Sequence, residues 1–350
     1  MSKLFHQHSP LRIFAFSIFA TVAMLTIILA KLGPSALLIA AVLVVIETAF
    51  SFDNAIINAK ILARLSQFWQ NIFLTVGILI AVFGMRVVFP VVLVMVTAGL
   101  GWGEVVNLAL HHPDKYAHAL ENAHPTISAF GGAFLLMLAL NFFLDNTREV
   151  RWLSRLERFL QSLAGRFSVP IIALLIVGLF SILPMNEHPG TTFRAGLFGI
   201  ATYLVLHGAT FLMERNHKVP TATKTSKVAK LTGMAALSTF LYLEFLDASF
   251  SFDGVIGAFA ITSDVVLIAA GLGVGALWVR SLTVFMVRRG TLDEYKYLDH
   301  GAHYTVAALA LILLSSAFLH LPELVTGGLG LIFIVASIIA SVRERKASTA

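Results

Sequence analysis

The sequence predicts an all-α, polytopic helical membrane protein of about ten spans, in which two inverted three-helix repeats bring broken acidic helices together at the bilayer midplane. Three observations predict it. Of 350 residues, 58% are hydrophobic and only 13% charged, about half the ~25% charge typical of a soluble domain. Apolar runs of about 20 residues recur along the chain, each long enough at ~1.5 Å per residue to cross a hydrocarbon core of ~30 Å. The tetrapeptide FSFD occurs at 50–53 and again at 250–253, both times within such a run.

The expected spans are 12–31, 34–59, 69–98, 126–144, 169–184, 194–213, 231–262, 264–287, 304–319 and 324–342. The first is longer than a secretory h-region and lacks a small-x-small cleavage site before Lys31, so it is kept as a membrane helix. Sorting Lys and Arg over alternating loops puts 20 on one side and 3 on the other, with Arg86 and Arg280 inside spans. By the positive-inside rule both termini are cytoplasmic, and the expected location is the inner membrane of a bacterium. The net charge of +6 therefore speaks for topology and not for nucleic acid. There is no cysteine, hence neither a disulfide framework nor a thiolate metal site.

The expected organisation is an N-terminal membrane helix (1–33), repeat one (34–144), a middle region (145–230), repeat two (231–320) and a C-terminal helix with a basic tail (321–350). Within the middle region, 145–168 alternates charge with Leu, Trp and Phe at helical spacing, as an amphipathic helix on the inner leaflet would. Residues 214–230 read as a polar basic linker.

Aligning the FSFD copies pairs Glu47 with Asp247, Ser51 with Ser251, Asp53 with Asp253 and Asn54 with Gly254, and one span later each half carries a single arginine, Arg86 and Arg280. On this count the motifs lie in spans two and seven, so the repeats are antiparallel. Such repeats form a midplane site from interrupted helices. Asn54 and Gly254 follow the aspartates and tolerate non-helical backbone, so unwinding is expected at 52–54 and 252–254. In a straight helix Glu47, Ser51, Asn54 and Asn58 share a stripe, as do Glu244, Asp247 and Ser251; Asp53 and Asp253 fall ~120° away from their partners six residues earlier.

Two readings of these charges compete. In one, Arg86 and Arg280 simply pair with acids and hold helices together. Yet five buried acids would cost on the order of 15 kcal/mol uncompensated, and two arginines leave three acids over. A bound cation or protonation removes that surplus. Carboxylates, hydroxyls, an amide and backbone carbonyls are hard donors, suited to Mn²⁺, Mg²⁺ or Ca²⁺ as the transported ion. No prosthetic group is expected. A weaker outer site is conceivable at His118, Glu121 and His124, spaced by three within 111–125; the competing reading is a solvated extracytoplasmic loop.

The paired motifs ETAFSFDNAII and EFLDASFSFDGVIGAFAIT, the following arginines and FGGAFLLML at the third span resemble the TerC family of integral membrane proteins, within the LysE-like transporter superfamily. The resemblance is strongest over 34–144 and 231–320. It implies a role in metal-ion homeostasis, notably manganese export, with tellurite resistance in some members, and assigns Asp53, Glu244 or Asp247, and Asp253 to acidic metal positions beside Asn54. The chain departs from the family at Gly254, where the family usually has Ser, with Pro soon after. The expected function is a secondary transporter exporting a divalent cation, Mn²⁺ favoured, in exchange for protons. The alternatives are export of an organic cation and a membrane scaffold in a metal or tellurite stress complex. An intramembrane aspartyl enzyme is disfavoured, because each Asp has a further acid in its own motif and neither GxG stretch is followed by Asp.

Overall fold

A computed structural model describes residues 10–216, 230–259, 261–262, 264–290, 294–316, 318–319, 321 and 323–349. Among them there is one isolated bridge between Leu65 and Leu231 and otherwise only helix and connections. In chain order the helices are α1 (Pro10–Phe50), α2 (Phe52–Leu62), α3 (Gln67–Leu79), α4 (Phe89–Ala98), α5 (Trp102–His111), α6 (Pro113–Phe143), α7 (Ser154–Ser162), α8 (Ser168–Ile182), α9 (Pro189–Asn216), α10 (Gly233–Phe259), α11 (Val265–Arg289), α12 (Leu298–Ser315) and α13 (Glu323–Thr349). Between α3 and α4 the chain stays helical but widens to a π-helical turn over Ile80–Val88.

Helix α1 would be ~60 Å long if straight, twice a hydrocarbon core. It is not straight. Gly33 adopts φ 85°, ψ −177° ahead of Pro34, a region open essentially to glycine alone, and the chain reverses there. Before the bend, Phe14 meets the rings of Trp278 (5.6 Å) and Phe285 (5.9 Å), and Ser17 Oγ donates to the Leu277 carbonyl (3.0 Å). At the bend Ile28, Ala36 and Ala40 pack together on Leu267. Beyond it Leu43 packs on Ile268 and Leu272, and Glu47 reaches Gly275. The two arms therefore run antiparallel along α11.

Helix α6 is central: 83% of its most apolar window is buried, against 11% for α1. Phe134, Leu135 and Met137 lie in one cluster with Leu246 of α10 and Leu313 of α12. Helix α7 carries Leu156, Phe159 and Leu163 exposed, while its buried Glu157 accepts from the amides of Trp152 and Leu153 and from the Tyr304 hydroxyl (3.0 Å). That carboxylate pins an amphipathic helix to the bundle where one was expected.

Seven helices among the described residues are long and apolar enough to cross a membrane, as an integral membrane protein requires. The ten expected spans differ from these at three places. Two expected spans are the arms of α1, α8 is an apolar helix of only 15 residues, and α10 has its apolarity diluted by Glu244, Asp247 and Asp253. A further correction concerns 111–125. This stretch is helical through α5 and the start of α6, not a loop, because Tyr116, Leu120 and Ala123 at helical spacing pack with Val94 and Val105. The 217–229 part of the expected linker lies outside the described residues.

Gly33→Ala is expected to destabilise the protein by about 1–3 kcal/mol, because no atom lies near a new Cβ and the cost is purely conformational. Gly178→Ala, equally uncrowded but in ordinary helical backbone, should be neutral or stabilising by up to about 1 kcal/mol. Thermal unfolding of both variants in detergent checks the contrast.

Candidate functional site

The first acidic motif straddles a kink. Helix α1 ends at Phe50 and α2 begins at Phe52, with Ser51 between them at φ −93°, ψ 18°. The ladder continues across it, Ser51 N donating to Glu47 O and Ala55 N to Ser51 O, both at 3.1 Å. The interruption is thus one residue, at 51, and not an unwound stretch at 52–54. In the second motif α10 runs unbroken through 252–254, so the expected second break is absent. Gly254 has the freedom to break the helix, but its neighbours keep their ladder.

Each arginine holds the acid of its own half. Arg86 pairs with Glu47, which also accepts from Ser51 Oγ (3.2 Å), and Arg86 Nη1 donates to the Ala81 carbonyl (2.9 Å). That carbonyl is five residues back, reachable because the helix is widened to π geometry here. Arg280 forks onto Glu244, with contacts of 2.9 and 3.2 Å, and its Nη2 also reaches Asp247 Oδ2 at 3.2 Å. It further donates to the Phe73 carbonyl (3.2 Å) and stacks 4.1 Å over the Phe73 ring.

The halves interlock at these pairs. Asn54 Nδ2 donates to Asp247 Oδ1 at 2.7 Å. Gly77 of α3 lies against Arg280 and Glu244, and Gly275 of α11 lies against Glu47. A Cβ at either glycine would collide with the ion pair of the other half, so small residues set how close the acidic helices come.

Asp53 is buried, 5% exposed, and has no ion-pair partner among the described residues. It lines a cavity of about 50 Å³ with Glu47, Ser51, Gly254, Thr305 and Thr326. Asn54 and Asn58 are also buried, 2% and 1% exposed, and among the described residues their side-chain oxygens accept no hydrogen bond. Ser251 is buried, while the side chain of Asp253 lies outside the described residues. The sequence-predicted residues Glu47, Asn54, Glu244, Asp247, Arg86 and Arg280 are therefore brought together in one polar core, with Ser51 and Asp53 beside it. Sequence reasoning missed Thr305 and Thr326. Their only signal was a hydroxyl within an apolar run.

Among the described residues no three His, Cys, Asp or Glu side chains converge as a metal cluster. At the outer candidate, His118 and Glu121 are exposed on α6 whereas His124 is buried, and His118 Nδ1 lies 3.0 Å from Asn122 Nδ2. The oxygens facing the inner cavity are carboxylate, amide and hydroxyl, a hard donor set.

The chain belongs to the family described as protein of unknown function (DUF475), which matches residues 52–348. No curated protein and no solved structure matches it.

Arg86→Gln leaves the Glu47 charge buried without its partner and is expected to cost about 3–5 kcal/mol, whereas Glu47→Gln combined with Arg86→Gln should cost markedly less. Unfolding of the two single variants and the double variant measures the difference. Equal losses in the Arg86→Gln and double variants would mean the pair is not coupled.

Proposed function

We propose that this member of the DUF475 family is a secondary transporter for a divalent metal cation, Mn²⁺ favoured and moved outward, with the carboxylates of the two FSFD motifs as its ion site. The observation that carries this is the excess of buried acid over arginine in the polar core. Arg86 is committed to Glu47, Arg280 is shared by Glu244 and Asp247, and Asp53 faces a cavity beside them. The unfilled oxygens of Asn54 and Asn58 add hard acceptors on the stripe that carries Glu47. The resemblance to the TerC family supports the same substrate class.

In this reading the two repeats are inverted, ten spans place both termini in the cytoplasm, and the halves rock about the acidic core. The Asn54–Asp247 hydrogen bond crosses between the halves and would be remade at each swing. Protons exchanging on the carboxylates would compensate charge when the metal leaves. The site would sit near the midplane, where a dehydrated divalent ion is tolerable only against several anionic oxygens.

The purified protein in liposomes loaded with a Mn²⁺-sensitive dye is expected to carry Mn²⁺ unaided, and Asp53→Asn is expected to abolish that flux with little loss of thermal stability. Wild-type flux in Asp53→Asn would sink the proposal. Flux carried by amines in preference to Mn²⁺ would favour the organic-cation alternative, and a protein inert by itself would favour the scaffold. Topology has its own check. A reporter active only in cytoplasm should work when fused after Ala350 or within 217–229 and stay silent within 111–114.

A further inference from the structure

A second and much larger cavity, about 880 Å³, opens at the basic end of the bundle. One wall is cationic: Lys60 and Arg64 from α2 and the segment after it, and Arg148 and Arg166 from the chain flanking α7. Two acids stand against these four cations. Asp299 pairs with Lys60 and lies 3.3 Å from Arg148 Nη1, and Asp145 lies 3.3 Å from Arg148 Nε. Burial pushes the Asp145 carboxyl up, but the Thr147 hydroxyl and amide and the Arg148 guanidinium hold it below the usual carboxylate range. It is therefore an anion at neutral pH, and the wall keeps a net positive charge of two.

The opposite wall is apolar and opens sideways. It includes Met137 of α6 with Leu204 and Phe211 of α9; Leu204 and Phe211 remain 45% and 61% exposed, on a helix long and apolar enough to cross a membrane. The depth of the mouth follows from α7. Its exposed Leu156, Phe159 and Leu163 alternate with Arg155 and Arg158, the pattern of a helix lying in the headgroup layer. The residues directly after it, 164–167, form the cavity's rim.

A soluble anion would be served by the cations alone. A cation-lined mouth at headgroup depth, continuous with an apolar wall open toward the bilayer, fits a ligand with a phosphate at one end and an acyl chain at the other. We propose that this cavity is a binding site for one anionic phospholipid, its phosphate between Arg64, Arg166 and Lys60 and an acyl chain along Leu204 and Phe211. The proposal rests on the chain being a membrane protein and not on the transport reading, so either can fail without the other.

The experiment compares purified protein, in neutral detergent, titrated with phosphatidylglycerol, phosphatidylcholine or inorganic phosphate, following the unfolding temperature and, by native mass spectrometry, the number of lipids retained. A saturable rise at one phosphatidylglycerol per chain is expected, with little response to the other two. Arg64→Gln with Arg166→Gln should weaken that binding roughly tenfold or more. Leu204→Trp, which keeps every charge but fills the apolar wall, should weaken it as well, and it serves on its own if the double variant does not fold. An equal response to phosphatidylcholine, the same rise with inorganic phosphate, or wild-type affinity in a folded variant would overturn the assignment.

Discussion

The structure is organised around an electrostatic constraint. Carboxylates lie among helices with almost no other charge, and two arginines are available to neutralise them. A single central charge costs about 2.5–3.5 kcal/mol even on the lenient insertion scale, so the fold must spend its few cations where they count most. Arg86 takes one acid and borrows a backbone carbonyl. Arg280 takes two acids, a carbonyl and an aromatic face. Once the arginines are so used, the remaining anionic capacity belongs to whatever enters the cavity by Asp53.

Much of the surrounding architecture follows from keeping these pairs dry and close. The π turn at Ile80–Val88 is what lets Arg86 reach Ala81 O while still holding Glu47. Glycines at 77 and 275 let each half press against the ion pair of the other, and the reversal at Gly33 returns the chain along α11 so that Glu47 arrives opposite Gly275. Leu43 and Val44 on the returning arm, packed along α11, seal the approach to Glu47. The same contacts that bury the charge position it.

What the sequence made legible, and what it hid, divides along physical lines. Helices declared by long apolar runs were placed closely, and the boundary between the first two expected spans fell at Gly33, where Lys31–Pro34 carried the turn signal. Glu47 and Arg86 could be singled out because charge among apolar residues is conspicuous. Pairing partners were not legible, since 39 residues of sequence separate them and only packing chooses between the two arginines. Helical breaks were overestimated. A permissive residue such as Gly254 permits departure from the helix without requiring it, and the intact ladder of α10 offers no reason to leave. Residues 111–125 read as a loop because polar side chains and Pro125 masked the Tyr116–Leu120–Ala123 stripe. Thr305 was invisible for a different reason: its hydroxyl bonds back to Gly301 O at 3.1 Å, as most threonines within apolar helices do, and nothing in its sequence neighbours marks the cavity on its other side.

Helix α2 ties the two cavities into one mechanical problem. It is eleven residues long, about 16 Å, with Asp53 and Asn54 in its first turn and Lys60 in its last. Asp53 and Lys60 are seven residues apart and so share a face. At its start the helix is hinged at Ser51; at its end Lys60 is held by Asp299 of α12, and Lys230 reaches the Ala63 carbonyl. A rigid element hinged at one end and ionically held at the other moves as a lever. A phosphate that competes with Asp299 for Lys60 therefore loosens the far end of the helix that bears Asp53. A cation gathered by Asp53 and Asn54 stiffens the near end. Because both act on one short helix, each must change the free energy of the other by the same amount, and the acidic core and the basic cavity respond to one another through backbone alone.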